Sequence, residues 1–214
     1  MITTTNNAGS LASQSAFPNG KRILDLTLII LALPIVVPVF ALIAASIALT
    51  SPGPVFFVQT RVGLRGRDFG MVKFRSMYQD AEARHSEVKK MSDREGICMK
   101  VKNDPRVTPL GSILRRWSLD ELPQLINVLV GDMSLVGPRP ALLSEVAEYP
   151  PHAHARTEVL PGITGLWQVS GRADLGFDEM IQLDLQYAAR VSVIMDIQIL
   201  FRTVKAVICG KGAY

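Results

Sequence analysis

The longest apolar segment of the chain covers residues 26–49 and contains no charged side chain. As a straight α-helix, its 24 residues would be about 36 Å long. That length exceeds the ~30 Å thickness of the hydrocarbon core of a bilayer. Length and composition alone therefore predict a transmembrane helix.

Two features of this segment favour a re-entrant helix over a spanning one. Pro34 and Pro38 lie near its middle. Each removes a backbone donor and clashes with the carbonyl four residues earlier, which predicts a sharp bend. Basic residues, which mark the cytoplasmic side of a membrane, flank both ends: Lys21 and Arg22 before the segment, and Arg61, Arg65, Arg67, Lys73 and Arg75 after it. We therefore predict a re-entrant membrane helix over residues 21–50, with both ends on the cytoplasmic side.

The charge of the chain narrows the classes of partner. A net charge of +4 suits a lipid headgroup, a phosphate-bearing substrate or nucleic acid. We expect no nucleic-acid partner, because the sequence contains no recognisable nucleic-acid-binding motif. The basic residues are explained better by their position beside an apolar membrane anchor than by binding to nucleic acid. Cys98 and Cys209 lack the spacing of a structural zinc site or of a disulfide framework.

The remaining segments predict an α+β, mostly helical fold. Residues 1–20 are polar and rich in Ser, Thr and Asn, which predicts a disordered tail. In the cytosolic region, residues 51–214, two β-branched and aromatic runs separated by glycines predict a small β-hairpin over residues 55–74. Helices follow, the last of them amphipathic. That C-terminal helix is expected to pack on the core or to lie in the membrane interface.

The sequence "SLDELPQL", residues 118–125, contains two adjacent carboxylates, Asp120 and Glu121. Ser118 and Glu121 match a capping box, which would make the stretch an ordinary helix start. Pro123 conflicts with that helix start, because it would fall inside the helix. A later start would put both carboxylates at the positive end of the helix, a position suited to a nucleophile or a metal ligand. The local sequence leaves both interpretations open.

Several arginines are candidate anion ligands. Arg115 precedes the carboxylates by about one helical turn and is either a phosphate clamp or a surface cation. Arg139 lies between two prolines in "GPRP", a stiff frame that suits preorganised anion binding, although a surface loop is the alternative. Arg172 follows a glycine and is a weaker candidate. The histidines show no metal-ligand spacing, and two of them are predicted in an exposed loop, "PPHAHAR": His152 and His154.

Motifs spread over most of the chain resemble those of the bacterial sugar transferases that initiate polysaccharide assembly, the monotopic phosphoglycosyl transferases. The matching stretches are "KRILDLTLII", "SPGPVFFVQTRVG", "VKFRSM", "SLDELPQLINVLVGDMSLVGPRP" and "PGITGLWQVSGR". The resemblance runs from Lys21 to the C-terminal "GKGAY" and implies the short form, without the extra N-terminal membrane domain of longer members. The family often has Ser-Pro at the bend, where this chain has Val37–Pro38 and an additional Pro34.

The resemblance implies an enzyme that transfers a hexose-1-phosphate from a UDP-sugar to undecaprenyl phosphate and releases UMP. This would be the first membrane step of exopolysaccharide or glycan assembly, at the cytoplasmic face of the bacterial inner membrane. Interfacial helices would surround a cytosolic active site within residues 51–214.

The resemblance also implies roles for individual residues. Asp120 is expected to carry the phosphosugar covalently, with Glu121 assisting proton transfer from the lipid phosphate or its positioning. Both carboxylates would lie at a Mg²⁺ ion. Arg139 is expected at the nucleotide sugar, and the residues expected near phosphates or headgroups are Arg115, Lys73, Arg75 and Arg172. A non-catalytic membrane-interface adaptor in a polysaccharide assembly complex is the alternative. The sequence leaves open the sugar, the polysaccharide and the oligomeric state, a homodimer included.

Overall fold

A computed structural model describes residues 20–84, 88, 101, 104–171 and 175–209. The predicted tail lies outside these residues except for Gly20, and so does Arg172. The described part is mostly helical and contains two small two-stranded sheets. The predicted α+β, mostly helical class is therefore confirmed.

The elements follow one another along the chain with short connections. The helices are α1 (Lys21–Thr50), α2 (Pro109–Arg116), α3 (Gln124–Val130), α4 (Leu143–Ala147), α5 (Leu166–Ser170), α6 (Phe177–Ala189) and α7 (Val193–Cys209). The strands are β1 (Phe56–Val62), β2 (Asp68–Phe74), β3 (Ser134–Val136) and β4 (Gly162–Thr164). Short 3₁₀ helices cover Leu64–Gly66, Leu119–Glu121 and Pro151–Glu158.

Helix α1 continues through both Pro34 and Pro38. By length and composition it is the one helix of the described residues that could cross a membrane. Much of its apolar surface is exposed, including Leu31, Ile35 and Leu42. This exposure suits a helix surrounded by lipid rather than by protein.

Both ends of α1 pack on the domain that follows it. Near the N-terminal end, Ile29 belongs to a buried cluster with Met71 of β2. Near the C-terminal end, Ile43 and Ile47 belong to a cluster with Phe74 of the same strand. The domain therefore supports the apolar helix at two separate places.

The two sheets place the loops of the candidate site. Strands β1 and β2 pair antiparallel from Phe56 opposite Phe74 to Val62 opposite Asp68, which confirms the predicted hairpin. Strands β3 and β4 pair in parallel. The parallel pairing brings the "GPRP" loop after β3 alongside the "PGITG" segment that contains β4.

Gly162 gives the clearest stability prediction of the fold. The Gly162 N–H donates to the carbonyl of Pro138 at 2.9 Å, and an added Cβ would lie 2.0 Å from the Gly137 nitrogen. We expect Gly162→Ala to lower the free energy of unfolding by about 1–3 kcal/mol, because the backbone has to move apart. Thermal unfolding of the purified protein would measure this change.

Gly176→Ala is the matched control for this prediction. The nearest atom to an added Cβ there lies 4.0 Å away, and φ is −68°, which any residue can adopt. The two variants should therefore differ clearly in stability. Equal unfolding midpoints would contradict the close approach of β4 to the "GPRP" loop.

Candidate active site

The two carboxylates lie in the 3₁₀ turn Leu119–Glu121, between α2 and α3. Ser118 adopts a left-handed conformation with φ of 55° and makes no side-chain capping bond. Helix α3 begins at Gln124, with Pro123 as its N-cap residue. The missing N–H of a proline costs nothing at a helix start. The capping-box interpretation is therefore wrong, and the later helix start is confirmed.

Glu121 faces cations from two other elements. Its Oε1 atom lies 2.8 Å from Nζ of Lys73, in β2, and 3.6 Å from Nη1 of Arg139, in the "GPRP" loop. The side chains of Lys73 and Glu121 are mostly buried, whereas that of Arg139 is 40% exposed. Arg139 can therefore contact both Glu121 and a bound anion.

Asp120 is buried, with 7% of its surface exposed. Burial raises the pKa of Asp120, and the positive charges of Lys73 and Arg115 oppose that rise while Glu121 adds to it. The Nε–H of Arg115 donates to Oγ of Ser76 at 3.0 Å, which fixes this arginine beside the turn. Asp120 is therefore a desolvated carboxylate, and the two nearby cations offset part of the effect of burial.

Glu121 has the opposite electrostatic environment. Burial alone would raise the pKa of Glu121, but the charges of Lys73 and Arg139 outweigh burial and hold it at about 2. Two adjacent carboxylates thus have pKa values pushed in opposite directions, a contrast typical of residues with different catalytic roles. At neutral pH Glu121 is ionised and holds the two cations in place.

The depressed pKa of Glu121 predicts a pH-dependent contribution to stability. The contribution is complete above its ordinary pKa of 4.5 and is lost as the pH falls towards about 2. A difference of this size corresponds to about 3 kcal/mol. We expect Glu121→Gln to be less stable than the wild type at pH 7, with the gap shrinking between pH 5 and pH 3. Denaturant unfolding over that range would measure the gap, and a constant gap would contradict the ion-pair geometry.

The carboxylates lie in a large cavity of about 1200 Å³. Its lining is rich in basic side chains: Arg61, Lys73, Arg75, Arg106, Arg115, Arg139 and Arg156. Aromatic side chains line it as well, among them Phe56, Phe57 and Trp117. The cavity therefore combines an anion-binding centre with apolar walls, a combination suited to a phosphate-bearing ligand with an apolar part.

The structure brings most of the predicted site residues together. Asp120, Glu121, Lys73, Arg115 and Arg139 all line the cavity around the 3₁₀ turn. Their individual roles stay predictions.

Two predicted residues stand apart from this group. Arg75 lines the cavity, but its guanidinium donates to the carbonyls of Ser51 and Pro52 at 2.7 and 2.8 Å. It thereby fixes the turn after α1. Arg172 lies outside the described residues.

Sequence reasoning missed two buried arginines near the site. Arg61 lies in the motif "QTRVG" but was given no role of its own, and its Nη1–H donates to the carbonyl of Pro140 at 3.1 Å. Arg156 belongs to "PPHAHAR", which was predicted as an exposed loop. His152 and His154 are exposed there, but the segment is a 3₁₀ helix that buries Ala153 and Arg156. Ala153 and Arg156 are three residues apart, which is the period of a 3₁₀ helix. This spacing is the sequence feature that could have indicated that both residues share a buried face.

Asp120 and Glu121 fit a magnesium ion only if other groups, such as substrate phosphates and water, supply the remaining ligands. Within the described residues, no group of three or more His, Cys, Asp or Glu side chains could hold a metal ion. Asp120 and Glu121 offer hard oxygen ligands, and Mg²⁺ usually takes one or two carboxylates together with substrate phosphates and water. The residues present therefore fit a magnesium ion that a bound diphosphate would complete.

Several known proteins are similar to this chain in sequence. The galactosyl transferase CpsE of Streptococcus agalactiae is 43% identical over 90% of this chain and 43% of that protein. The exopolysaccharide production protein ExoY of Rhizobium meliloti is 38% identical over 91% of this chain and 88% of that protein. The UDP-glucose:undecaprenyl-phosphate glucose-1-phosphate transferase of Escherichia coli is 41% identical over 91% of this chain and 41% of that protein. The chain thus spans less than half the length of two of these relatives and most of the third.

The sequence model of one family matches nearly the whole chain. That family is described as bacterial sugar transferase, and the match covers residues 16–210. The match includes the carboxylate turn, the "GPRP" loop and α1. The predicted family is thereby confirmed, and with it the prediction of a sugar-phosphate transferase. The chain belongs to the bacterial sugar transferase family.

Proposed function

We propose that this chain transfers a hexose-1-phosphate from a UDP-sugar to undecaprenyl phosphate, with UMP as the second product. The observation that carries the proposal is the buried Asp120 beside Lys73 and Arg115, next to a Glu121 that stays ionised. Relatives whose names state a substrate act on undecaprenyl phosphate with glucose, galactose or N-acetylgalactosamine. The final product would be a lipid-linked sugar at the start of exopolysaccharide or glycan assembly.

In the first step, a carboxylate oxygen of Asp120 attacks the β-phosphorus of the UDP-sugar. The bond from that phosphorus to the bridging oxygen breaks, and UMP leaves with the electron pair. Asp120 then carries the sugar phosphate as an acyl phosphate. Burial suits this role, because a poorly hydrated carboxylate is a stronger nucleophile than one in water.

In the second step, an oxygen of undecaprenyl phosphate attacks the same phosphorus and displaces the Asp120 carboxylate. The product is undecaprenyl diphosphate bearing the sugar, and Asp120 is free for another cycle. Both steps bring an anion to an anionic centre, so they need cations that screen the repulsion. Lys73, Arg115 and Arg139 supply positive charge around the turn.

Glu121 acts in this proposal by positioning rather than by proton transfer. A group with a pKa of about 2 is a weak base at neutral pH. Its contacts with Lys73 and Arg139 orient both cations towards the substrate phosphates. Magnesium, held by Asp120 and Glu121 with the diphosphate, would neutralise part of the substrate charge.

We also propose that α1 is re-entrant and anchors the enzyme at the cytoplasmic face of the inner membrane. A straight helix would separate Ile29 from Ile43 by about 21 Å. The residues of β2 in their two clusters, Met71 and Phe74, are only about 10 Å apart along the strand. A helix that spans the membrane has its ends on opposite sides, whereas both ends of α1 pack on one domain.

Helix α7 supports the same membrane placement. It buries Asp196 and Ile199 in the domain, so it packs on the core. Its other face exposes an apolar stripe: Ile194, Ile197, Phe201, Val204 and Ile208. An exposed stripe at helical spacing suits a helix that lies in the membrane interface. Packing on the core and lying in the membrane interface are therefore compatible for this helix, because each involves a different face.

A screen for UMP release tests the proposed function. The purified protein would be incubated with undecaprenyl phosphate, magnesium and a panel of UDP-sugars, UDP-glucose and UDP-galactose among them. We expect UMP release with at least one sugar, dependent on the lipid acceptor for continued turnover. A membrane adaptor would release no UMP from any of them, and that result would overturn the proposal.

A further inference from the structure

The "GPRP" loop, residues 137–140, is held by buried cations that donate to its main-chain carbonyls or to the carbonyl just before it. Nη2 of Arg156 donates to the carbonyl of Arg139 at 2.8 Å. Nη1 of Arg61 donates to the carbonyl of Pro140 at 3.1 Å, and Nζ of Lys21 donates to the carbonyl of Val136 at 2.8 Å. All three cations come from other parts of the chain and are buried. The loop is therefore fixed from outside, in addition to the stiffness of its prolines.

Arg156 is the cation that reaches Arg139 itself. It is 7% exposed and lies in the 3₁₀ helix Pro151–Glu158. Its guanidinium also contacts the carboxylate of Asp184, in α6, and the hydroxyl of Tyr149. Asp184 is 1% exposed, so the ion pair with Arg156 is fully enclosed. A rigid, planar guanidinium held by these partners fixes the atom that it donates to, here the Arg139 carbonyl.

Fixing the Arg139 carbonyl has a consequence for the site, because the side chain of Arg139 points to Glu121 at 3.6 Å. That side chain is 40% exposed, and its ion pair with Glu121 is longer than the one that Lys73 makes with the same oxygen. The position of the Arg139 side chain therefore depends on its own backbone as well as on Glu121. A shift of about 1 Å in a catalytic group can cost about 10²-fold in rate.

We propose that the Arg156–Asp184 ion pair is a positioning element for Arg139, which sets the geometry of that arginine at the nucleotide-sugar diphosphate. Arg156 does not touch the substrate in this proposal; it acts through the main chain of Arg139. The inference rests on the proposed function, since the contribution of Arg139 is measured through the transfer reaction. An independent structural readout, described below, separates the two.

A double-mutant cycle tests the coupling between Arg156 and Arg139. We expect Arg156→Met to lower kcat/KM for the UDP-sugar by about 10- to 100-fold in the wild-type background. In an Arg139→Ala background the same change should cost less than about 2-fold, because its effect passes through Arg139. Arg156→Lys should restore part of the activity, since lysine can still donate to the carbonyl but cannot hold Asp184 and Tyr149 at the same time.

Arg106→Met is the matched control for the loss of a buried ion pair. Arg106 is 4% exposed and pairs with Asp104 at 2.7 Å, on another segment of the domain. It also lines the cavity, and its guanidinium donates to the carbonyl of Ala81 at 3.3 Å. We expect Arg106→Met to change kcat/KM for the UDP-sugar by the same factor in the wild-type and Arg139→Ala backgrounds. Full additivity of Arg156→Met with Arg139→Ala, like that of the control, would overturn the proposal.

Hydrogen exchange of the loop provides the readout that does not depend on activity. Arg156→Met and Asp184→Asn should both speed amide exchange in a peptide covering residues 136–141, whereas Arg106→Met should not. Asp184→Asn keeps the proposal testable if Arg156→Met fails to fold. Unchanged exchange in this peptide would overturn the inference even in an active enzyme. A wild type that releases no UMP, with faster loop exchange in the variants, would overturn the proposed function but uphold the positioning of the loop.

Discussion

Asp120→Asn is expected to lower sugar-phosphate transfer by roughly 10³- to 10⁶-fold, the range for removal of a catalytic nucleophile. An amide of the same shape cannot form the acyl phosphate, and water has little access to the buried turn. The initial rate of UMP release with undecaprenyl phosphate present would measure the loss. Membrane binding should not change, because the substitution leaves the exposed apolar side chains of α1 and α7 intact.

The stability of the same variant distinguishes lost chemistry from lost folding. Burial raises the pKa of Asp120, so its ionised form is unfavourable in the folded state. Asp120→Asn should therefore be at least as stable as the wild type. Asp178→Asn, at an exposed position in the first turn of α6, is the matched control and should keep full activity. Transfer activity that survived in Asp120→Asn would contradict the assignment of the nucleophile.

Arg139→Ala is expected to lower kcat/KM for the UDP-sugar by about 10²- to 10³-fold. Removal of one preorganised hydrogen-bond donor from an oxyanion site costs about this much in other enzymes. The loss should fall on the donor half of the reaction, because Arg139 is proposed to contact the nucleotide sugar. Steady-state kinetics with the donor and the acceptor varied separately would measure it.

Arg139→Lys is the informative companion variant. It keeps the charge beside Glu121 but loses the planar fork that binds two phosphate oxygens at once. We expect its activity to lie between those of the wild type and Arg139→Ala. Equal activity of all three enzymes would show that the "GPRP" arginine does not bind the donor.

The sequence predicted well those features that depend on neighbouring residues. The hairpin followed from the β-branched and aromatic runs on either side of Gly63 and Gly66, and β1 and β2 pair as expected. The late start of α3 followed from the steric demand of Pro123, and the structure begins that helix at Gln124. Both rules act within a few residues, so one sequence is enough to apply them.

Features that depend on distant contacts were beyond local rules. No pattern around Lys73 indicates that β2 would carry it to Glu121, 48 residues later. The burial of Arg156 depends on Asp184 and Tyr149, and an arginine after two histidines suggested a solvated loop instead. Arg75 is expected near phosphates or headgroups, and no local pattern predicts that its guanidinium donates to the carbonyls of Ser51 and Pro52. In each case the partner is set by packing, which the residue types alone do not encode.

The central claim is that Asp120 carries the sugar phosphate between donor and acceptor. Exchange of isotopic label from UMP into the UDP-sugar, measured without undecaprenyl phosphate, tests it most directly, because only a covalent intermediate allows the first step to reverse alone. We predict label in the UDP-sugar with the wild-type protein and none with Asp120→Asn. A wild type that completes transfer with the lipid but shows no exchange without it would contradict the covalent route.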